Sequence, residues 1–222
     1  MTASLFDDPP QPVERMAIDD GAWLLRGWAL EQQTQWIAAV QQVLALQPLR
    51  ASCTPSGKPM SVRMSNCGAY GWVTDAAGYR YSATNPDTGV AWPAMPDFLR
   101  DQAVAAAAAA GYPGYAPDVC LVNQYLSGAR MGLHRDADEQ DWAAPIVSVS
   151  LGLPCRFQWG GLERSSPVRR FTLLHGDVLV WGGATRMAYH GVLPLQDGAH
   201  PLLGPRRWNL TFRMARSHYR PQ

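Results

Sequence analysis

Two residues of this sequence, His134 and Asp136, have the types and the spacing of metal ligands. Side chains at positions i and i+2 of a strand point to the same face, so the imidazole and the carboxylate would lie side by side. A second histidine, returned by a distant strand, would complete a set of two histidines and one carboxylate. That set suits Fe(II) and leaves coordination positions open for oxygen and a co-substrate. His190 is the best candidate for the third ligand, because it follows a predicted strand and the Gly182-Gly183 break.

The His-x-Asp pattern occurs a second time, as His175-Gly176-Asp177. This copy lies between two apolar runs, residues 171–174 and 178–181, and such an arrangement is typical of the tight turn of a β-hairpin. Gly176 would supply the positive φ that the turn needs. We therefore predict a structural role for His175 and assign the metal to the first pair.

Residues 207–213 alternate between an apolar face and a polar face. The polar face carries Arg207, Asn209, Thr211 and Arg213. Two arginines on one face of a buried strand are costly unless each is paired, and a planar guanidinium matches a carboxylate well. A dicarboxylate co-substrate would satisfy both, while two surface salt bridges are the alternative. Asn123 and Tyr125, on one face of another predicted strand, offer further hydrogen bonds.

Composition and charge limit the classes of protein that this chain can belong to. The chain has 222 residues, 47% of them hydrophobic, which is enough for one large domain or two small ones with a sizeable core. A net charge of +1 gives no general attraction to nucleic acid, so such binding would need a local basic patch. The four cysteines show no C-x-x-C spacing, which argues against a zinc ribbon or a disulfide framework. We interpret them as reduced thiols of a cytoplasmic protein.

The beginning of the chain indicates neither a secretory signal nor a membrane anchor. Residues 1–15 form an acidic, proline-rich stretch without the basic and apolar regions of a signal peptide, and we predict a flexible tail there. No uninterrupted apolar run approaches the ~18 residues that a membrane-spanning helix requires. We therefore expect no membrane association.

The spacing of apolar residues predicts a mainly β protein with flanking helices. Helical spacing covers residues 30–46, strong helix formers cover 96–111, and a short strand is predicted at 22–28. The later part of the chain is typical of an antiparallel barrel or jelly roll, with two helices covering one sheet. Its short strands are predicted at residues 119–125, 146–151, 155–159, 170–174, 178–181, 189–193 and 207–213.

Residues 50–92 combine aromatic and basic side chains without a helical period. Tryptophan, tyrosine, lysine and arginine are mixed there with glycine, proline, serine and asparagine, which is a poor composition for a hydrophobic core. The segment could form a binding surface, or it could be a β-hairpin with exposed aromatic side chains. The residues alone leave both interpretations open.

Motifs along nearly the whole chain resemble those of the AlkB family of Fe(II)/2-oxoglutarate-dependent dioxygenases. The spacing of so many motifs is far more specific than the His-x-Asp pair alone. They include Asn123-Gln-Tyr, Leu133-His-Arg-Asp, His175-Gly-Asp-Val, Val180-Trp-Gly-Gly, Tyr189-His-Gly and Arg207-Trp-Asn-Leu-Thr-Phe-Arg.

The resemblance implies a double-stranded β-helix, or jelly roll, with an N-terminal nucleotide-recognition lid. Residues 16–222 would form a single dioxygenase domain, with the lid at about 50–92 and the catalytic core at about 119–213. The resemblance places iron on His134, Asp136 and His190. It places 2-oxoglutarate on Asn123, Tyr125, Arg207, Asn209 and Arg213. It places the substrate base against Trp72, Tyr79, Asp138 and Arg164.

The activity that the resemblance implies is oxidative demethylation of 1-methyladenine and 3-methylcytosine in single- or double-stranded DNA, with RNA as a further candidate substrate. The protein would act as a monomer with Fe(II), oxygen and 2-oxoglutarate, and would release formaldehyde, succinate and carbon dioxide. We expect Lys58, Pro59, Arg135 and Ala137 to affect contacts with the nucleic-acid backbone rather than the chemistry. The alternatives are a hydroxylase of the same fold that acts on a protein or small molecule, and a non-enzymatic jelly-roll binding module.

Overall fold

A computed structural model of the chain describes residues 14–219. Within this range the chain forms thirteen β-strands, two α-helices and one short 3-10 helix, Gly183–Thr185. The helices are α1 (Gln33–Leu46) and α2 (Asp97–Ala109). The strands are β1 (Glu14–Asp19), β2 (Ala22–Arg26), β3 (Arg63–Gly68), β4 (Gly71–Asp75), β5 (Gly78–Ser82), β6 (Val119–Tyr125), β7 (Met131–His134), β8 (Ile146–Gly152), β9 (Cys155–Trp159), β10 (Arg169–Leu173), β11 (Val178–Trp181), β12 (His190–Val192) and β13 (Arg207–Arg213).

Two antiparallel sheets pack against each other and form the predicted jelly roll. The large sheet has the strand order β1-β2-β11-β8-β13-β6-β3, and the small sheet has the order β10-β9-β12-β7. One apolar cluster joins their inner faces, with Leu121 and Ile146 from the large sheet against Phe157 and Val192 from the small one. Apolar side chains therefore fill part of the space between the two sheets, and polar side chains line the remainder.

The outer face of the large sheet is covered by α1 and α2. Trp36 of α1 contacts Phe98 of α2 and Phe212 of β13 in edge-to-face geometry, with ring centroids 5.4 and 6.4 Å apart. Trp208 and Leu210 of β13 belong to the same buried cluster. Because side chains alternate along a strand, packing this face under the helices turns the polar face of β13 inward, toward the small sheet.

The segment predicted as a lid contains both a hairpin and a strand of the large sheet. Strands β4 and β5 pair with Trp72 opposite Tyr81 and Thr74 opposite Tyr79, and Gly78 in their turn has a φ of 111°. Strand β3, from the same part of the chain, hydrogen-bonds to β6 at the edge of the large sheet. The large sheet also takes in β1 and β2, so the jelly roll extends beyond the predicted range of about 119–213.

The boundaries of three predicted segments differ in the structure. Glu14 and Arg15 belong to β1 and pair with β2, so they are not part of a tail; residues 1–13 lie outside the described part of the chain. The predicted helix at 30–46 begins at Gln33, because residues 27–32 form turns. The helix predicted at 96–111 is α2, Asp97–Ala109.

The second His-x-Asp copy is a turn, as predicted, but not a hairpin turn. Strand β10 before it pairs with β9 in the small sheet, and β11 after it pairs with β2 and β8 in the large one. At this turn the chain crosses from the small sheet to the large one, so the two flanking strands do not pair with each other. Gly176 has a φ of 84°, and the buried Asp177 carboxylate accepts hydrogen bonds from the amides of Gly27 and Leu174. Neither helix within residues 14–219 has the length and apolar content needed to cross a bilayer.

Candidate active site

Strand pairing in the small sheet brings the three predicted metal ligands together. His134 ends β7 and lies opposite His190, which begins β12. Asp136 follows β7 by two residues, and one ligand atom of each of the three side chains lies within 4.8 Å of the others. Asp136 Oδ1 is 3.8 Å from His134 Nε2, and Asp136 Oδ2 is 4.0 Å from His190 Nε2. Two imidazole nitrogens and one carboxylate oxygen thus converge on one point, as Fe(II) requires.

Backbone carbonyls orient both imidazole rings. His134 Nδ1 lies 2.9 Å from the Gly132 carbonyl oxygen, and His190 Nδ1 lies 3.0 Å from that of Ala188. With each Nδ1 donating to a carbonyl, each Nε2 presents a lone pair to the metal position. Burial, and then the neighbouring His134, lower the pKa of His190 to about 4. His190 is therefore neutral at physiological pH, which is the form that binds a metal.

An ion pair with Arg213 holds the carboxylate of Asp136. Arg213 Nε and NH2 donate to Asp136 Oδ2 at 3.0 and 2.7 Å. Burial alone would raise the pKa of Asp136, but the charge of Arg213, joined at acid pH by protonated His190 and His134, outweighs it and holds the pKa well below its usual range. Asp136 is thus ionised, with one oxygen bound to the arginine and Oδ1 left to face the metal position.

A cavity of about 230 Å³ between the two sheets joins the metal position to the polar face of β13. Every predicted site residue except Arg164 lines it: Trp72, Tyr79, Asn123, Tyr125, His134, Asp136, Asp138, His190, Arg207, Asn209 and Arg213. Arg164 lies beside the cavity, where it donates to the Leu133 carbonyl at 2.9 Å and its guanidinium is 5.9 Å from the Tyr189 ring. The residues predicted to bind metal, co-substrate and base therefore share one space, with Arg164 at its side.

The inner end of the cavity contains a buried cation, Arg207, that has no acidic partner within residues 14–219. Arg207 is 1% exposed and donates to Ser150 Oγ at 2.9 Å, and its guanidinium is 5.0 Å from the Tyr125 ring. Its Nε and NH1 have no hydrogen-bond partner among residues 14–219, and neither has Arg213 NH1. Burial raises the pKa of Tyr125 to about 12, so its hydroxyl stays protonated and can donate. These unsatisfied donors fit an anionic ligand such as 2-oxoglutarate, because a carboxylate would satisfy them.

The register of β13 against β6 explains why these groups meet. Arg207 lies opposite Tyr125, and Asn209 lies opposite Asn123. The two asparagines touch through Asn123 Nδ2 and Asn209 Oδ1 at 3.3 Å. Side chains of directly opposed residues share a face of the sheet, so one register places four of the predicted co-substrate residues together.

The mouth of the cavity combines an aromatic stack with a carboxylate. Trp72 of β4 stacks on Tyr79 of β5, with centroids 5.4 Å apart and ring planes at 16°. Trp72 Nε1 donates to Asp138 Oδ2 at 2.8 Å. Of the two interpretations of residues 50–92, the hairpin is therefore present, and its aromatic side chains border the cavity.

Several residues near the metal position were missed by sequence reasoning. Phe157 stacks on His190 with centroids 6.0 Å apart, and Trp181 meets the same ring edge-to-face at 4.9 Å. Arg186 and Glu139 form a buried ion pair at 2.9 Å close to Asp136. The acidic residues that follow His134 could have indicated Glu139, but nothing in the sequence distinguishes Arg186 from the arginines of the surface.

Comparisons with known proteins agree with this geometry. Residues 21–213 match the family model described as the 2OG-Fe(II) oxygenase superfamily. The alpha-ketoglutarate-dependent dioxygenase AlkB of Escherichia coli is 51% identical over 95% of this chain and 97% of its own length. The mouse nucleic acid dioxygenase ALKBH1 is 31% identical over 57% of this chain and 33% of its own. The solved structure of OsALKBH1 superposes with a TM-score of 0.81 at 28% identity, covering 90% of this chain and all of that one. The chain therefore belongs to the AlkB family of 2-oxoglutarate- and Fe(II)-dependent dioxygenases.

Proposed function

We propose that this dioxygenase removes methyl groups from ring nitrogens of alkylated bases, with 1-methyladenine and 3-methylcytosine in DNA as its substrates and RNA as a further one. The observation that carries this proposal is the single cavity that joins the metal cluster, an unpaired buried arginine and an aromatic, acidic mouth. The products would be the unmethylated base, formaldehyde, succinate and carbon dioxide.

In this proposal His134, Asp136 and His190 hold Fe(II). When bound, the iron supplies the activation of oxygen that, together with oxidation of 2-oxoglutarate, allows the N-methyl group to be hydroxylated. The chain itself orients the ligands, through the carbonyls behind both histidines and through Arg213 behind Asp136. The resulting hydroxymethyl group leaves as formaldehyde.

The buried cation Arg207 supports the assignment of the inner end to 2-oxoglutarate. One carboxylate of the co-substrate would pair with Arg207 Nε and NH1, which have no hydrogen-bond partner among the residues that the structure describes. Arg213 NH1 and the Tyr125 hydroxyl would add donors, and Asn123 and Asn209 would align the rest of the molecule. This arrangement would direct the co-substrate toward the metal position, because the same cavity connects the two.

Trp72, Tyr79 and Asp138 support a cationic base as the substrate. Methylation at N1 of adenine or N3 of cytosine leaves the ring positively charged near neutral pH. An aromatic face attracts such a cation, and tryptophan does so most strongly. Asp138 would add an opposite charge beside the Trp72 ring. A base inside a duplex cannot reach a cavity between two sheets, so it must be flipped out or come from a single strand.

The position of Arg164 supports a role in binding the nucleic-acid backbone rather than the base. Its side chain is exposed and lies outside the cavity, beside the strand that carries His134. An exposed guanidinium at this position suits a phosphate next to the flipped nucleotide. The exposed Arg135, which lines the cavity, would contribute in the same way.

We further propose that residues 16–222 act as one domain, in which the hairpin and flanking loops of about 50–92 serve as the nucleotide-recognition lid over the jelly roll. We also propose that the protein acts as a monomer. All four cysteines are free, which supports a cytoplasmic location.

The test is release of formaldehyde from synthetic oligonucleotides. Protein supplied with Fe(II), 2-oxoglutarate and oxygen should release formaldehyde from strands that carry 1-methyladenine or 3-methylcytosine. Unmethylated strands of the same sequence should release none. If free methylated nucleosides or methylated peptides react as fast as the oligonucleotides, the hydroxylase alternative is correct and the nucleic-acid assignment is wrong.

A further inference from the structure

A buried charged cluster connects the β4–β5 hairpin to the carboxylate of Asp136. It consists of Tyr81, Glu139, Arg186 and Arg213, none of which is more than 6% exposed. Their side chains form a continuous series of contacts of 2.6 to 3.4 Å. Burying the Glu139 carboxylate and two guanidinium groups beside Asp136 is costly unless each charge has an opposite partner, and these contacts supply one for each.

Arg213 lies between two carboxylates in this cluster. Its Nε is 3.0 Å from Asp136 Oδ2 and 3.4 Å from Glu139 Oε1. Because Asp136 Oδ2 is held by Arg213, the orientation of the aspartate depends on where the guanidinium lies. Glu139 is the second acidic group that fixes that guanidinium.

Glu139 is itself anchored from two separate elements. The Tyr81 hydroxyl of β5 donates to Glu139 Oε1 at 2.6 Å, and Arg186 NH2 donates to Glu139 Oε2 at 2.9 Å. Arg186, which follows the 3-10 helix, also donates to the carbonyls of Asp136 and Ala144 at 2.8 and 2.9 Å. The loop that carries Asp136 is thus fastened at its backbone and at the Glu139 side chain.

We propose that Glu139 is a positioning residue, which fixes Arg213 and thereby keeps Asp136 Oδ1 turned toward the metal position. Tyr81 extends this connection to the hairpin that carries Trp72, so that binding of a base at the mouth and binding of metal and co-substrate strengthen each other. The second part rests on the proposed nucleic-acid substrate, whereas the first does not.

The first experiment measures binding of Mn(II), a divalent ion that does not require anaerobic conditions, from the loss of its free-ion electron paramagnetic resonance signal. Glu139→Gln keeps the length of the side chain and removes the charge, and Glu139→Asp keeps the charge but shortens the side chain by one methylene. Both should weaken Mn(II) binding by about 10- to 100-fold, the usual effect of losing a group that orients a metal ligand.

Asp177→Asn provides the matched control for a buried acidic group. Asp177 is also paired with an arginine, Arg26, and its side chain is 2% exposed, but it does not line the cavity. This variant should lose stability and keep the wild-type affinity for Mn(II). If Glu139→Asp binds Mn(II) like the wild type, charge alone accounts for the effect and the positioning role is wrong. Wild-type affinity in Glu139→Gln would overturn the proposal outright.

The second experiment tests the connection to the hairpin with Tyr81→Phe, which deletes the hydroxyl that reaches Glu139. Affinity for an oligonucleotide containing 1-methyladenine is measured by fluorescence anisotropy, with and without Mn(II) and 2-oxoglutarate. The wild type should bind several-fold more tightly when both are present, and Tyr81→Phe should lose most of this enhancement. Tyr112→Phe, which loses a hydroxyl hydrogen bond to the Gly21 carbonyl instead of one to Glu139, should keep it.

The two experiments separate this inference from the proposed function. An equal enhancement in Tyr81→Phe and the wild type, or no enhancement in the wild type, would refute the connection to the hairpin. If the wild type does not bind the oligonucleotide at all, the proposed substrate is wrong. The Mn(II) measurements contain no nucleic acid, so they decide the role of Glu139 in either case.

Discussion

Replacement of Arg207 by methionine should weaken co-substrate binding strongly and change the stability of the fold little. Arg207 and Arg186 are both arginines with 3% exposure or less, but their surroundings differ. Arg186 donates to Glu139 and to two carbonyls, whereas Arg207 donates to Ser150 and has two nitrogens that find no partner in the described part of the chain. The charge of Arg186 is therefore satisfied by the protein, and that of Arg207 is left for a ligand.

The expected magnitudes follow from these contacts. Loss of one partner from a buried, hydrogen-bonded charge pair costs about 2–5 kcal/mol, so Arg207→Met should weaken 2-oxoglutarate binding by roughly 30- to 4,000-fold at 1.4 kcal/mol per factor of ten. Without ligand, the variant loses one hydrogen bond, worth about 1 kcal/mol, and removes an uncompensated buried charge. Its stability should therefore change little. Arg186→Met removes the ion pair to Glu139 Oε2 and the hydrogen bonds to two carbonyls, and should cost about 3–5 kcal/mol of stability.

Calorimetric titration of 2-oxoglutarate into Mn(II)-loaded protein measures the first effect, and urea unfolding of the metal-free protein measures the second. An unchanged affinity for 2-oxoglutarate in Arg207→Met would show that the carboxylate binds elsewhere. A loss of stability as large as that of Arg186→Met would show that Arg207 serves the fold rather than the ligand. Either result would refute the reasoning.

Three further predictions concern the histidines and the mouth of the cavity. His134→Ala should abolish turnover and iron binding, while His175→Ala should leave iron binding intact; iron titration separates the two. Burial, and then the neighbouring His200, lower the pKa of His175 below 6.5. The neutral form of His175 therefore favours the folded state. The free energy of unfolding should thus fall as the pH drops below 6.5, and less steeply in His175→Gln, as followed by urea unfolding at each pH. Trp72→Ala should impair repair of 1-methyladenine with little change in substrate-free 2-oxoglutarate turnover. Asp138→Asn should shift the preference of the enzyme toward neutral 1-methylguanine. If formaldehyde release falls equally on charged and neutral lesions in both variants, this selectivity is wrong.

Much of the fold was predictable because its signals are local. The alternation along residues 207–213 separates a face that packs under the helices from a face that lines the cavity, and the structure confirms both. The pair His134 and Asp136 was found from spacing, and the resemblance to the AlkB family is confirmed by a relative that is 51% identical.

The parts that were missed depend on pairing between distant residues. The turn at His175 was taken for a hairpin because neighbouring strands were assumed to pair, whereas the jelly roll places them in different sheets. Strand β3 lies within the segment predicted as the lid, and its partner β6 lies more than 50 residues later in the chain, so local composition does not reveal its place in the large sheet. The ion pairs of Arg213 with Asp136 and of Arg186 with Glu139 join residues 77 and 47 positions apart, which no local pattern can indicate.

The most direct test of the central claim is the mass of an oligonucleotide that carries one 1-methyladenine, measured after reaction with the protein, Fe(II), oxygen and 2-oxoglutarate. The account predicts that the strand loses the mass of one methylene group with the wild type. It also predicts that the strand stays unchanged with His134→Ala or when 2-oxoglutarate is omitted. A strand of unchanged mass with active, iron-loaded wild type, or a strand demethylated by His134→Ala, would contradict it.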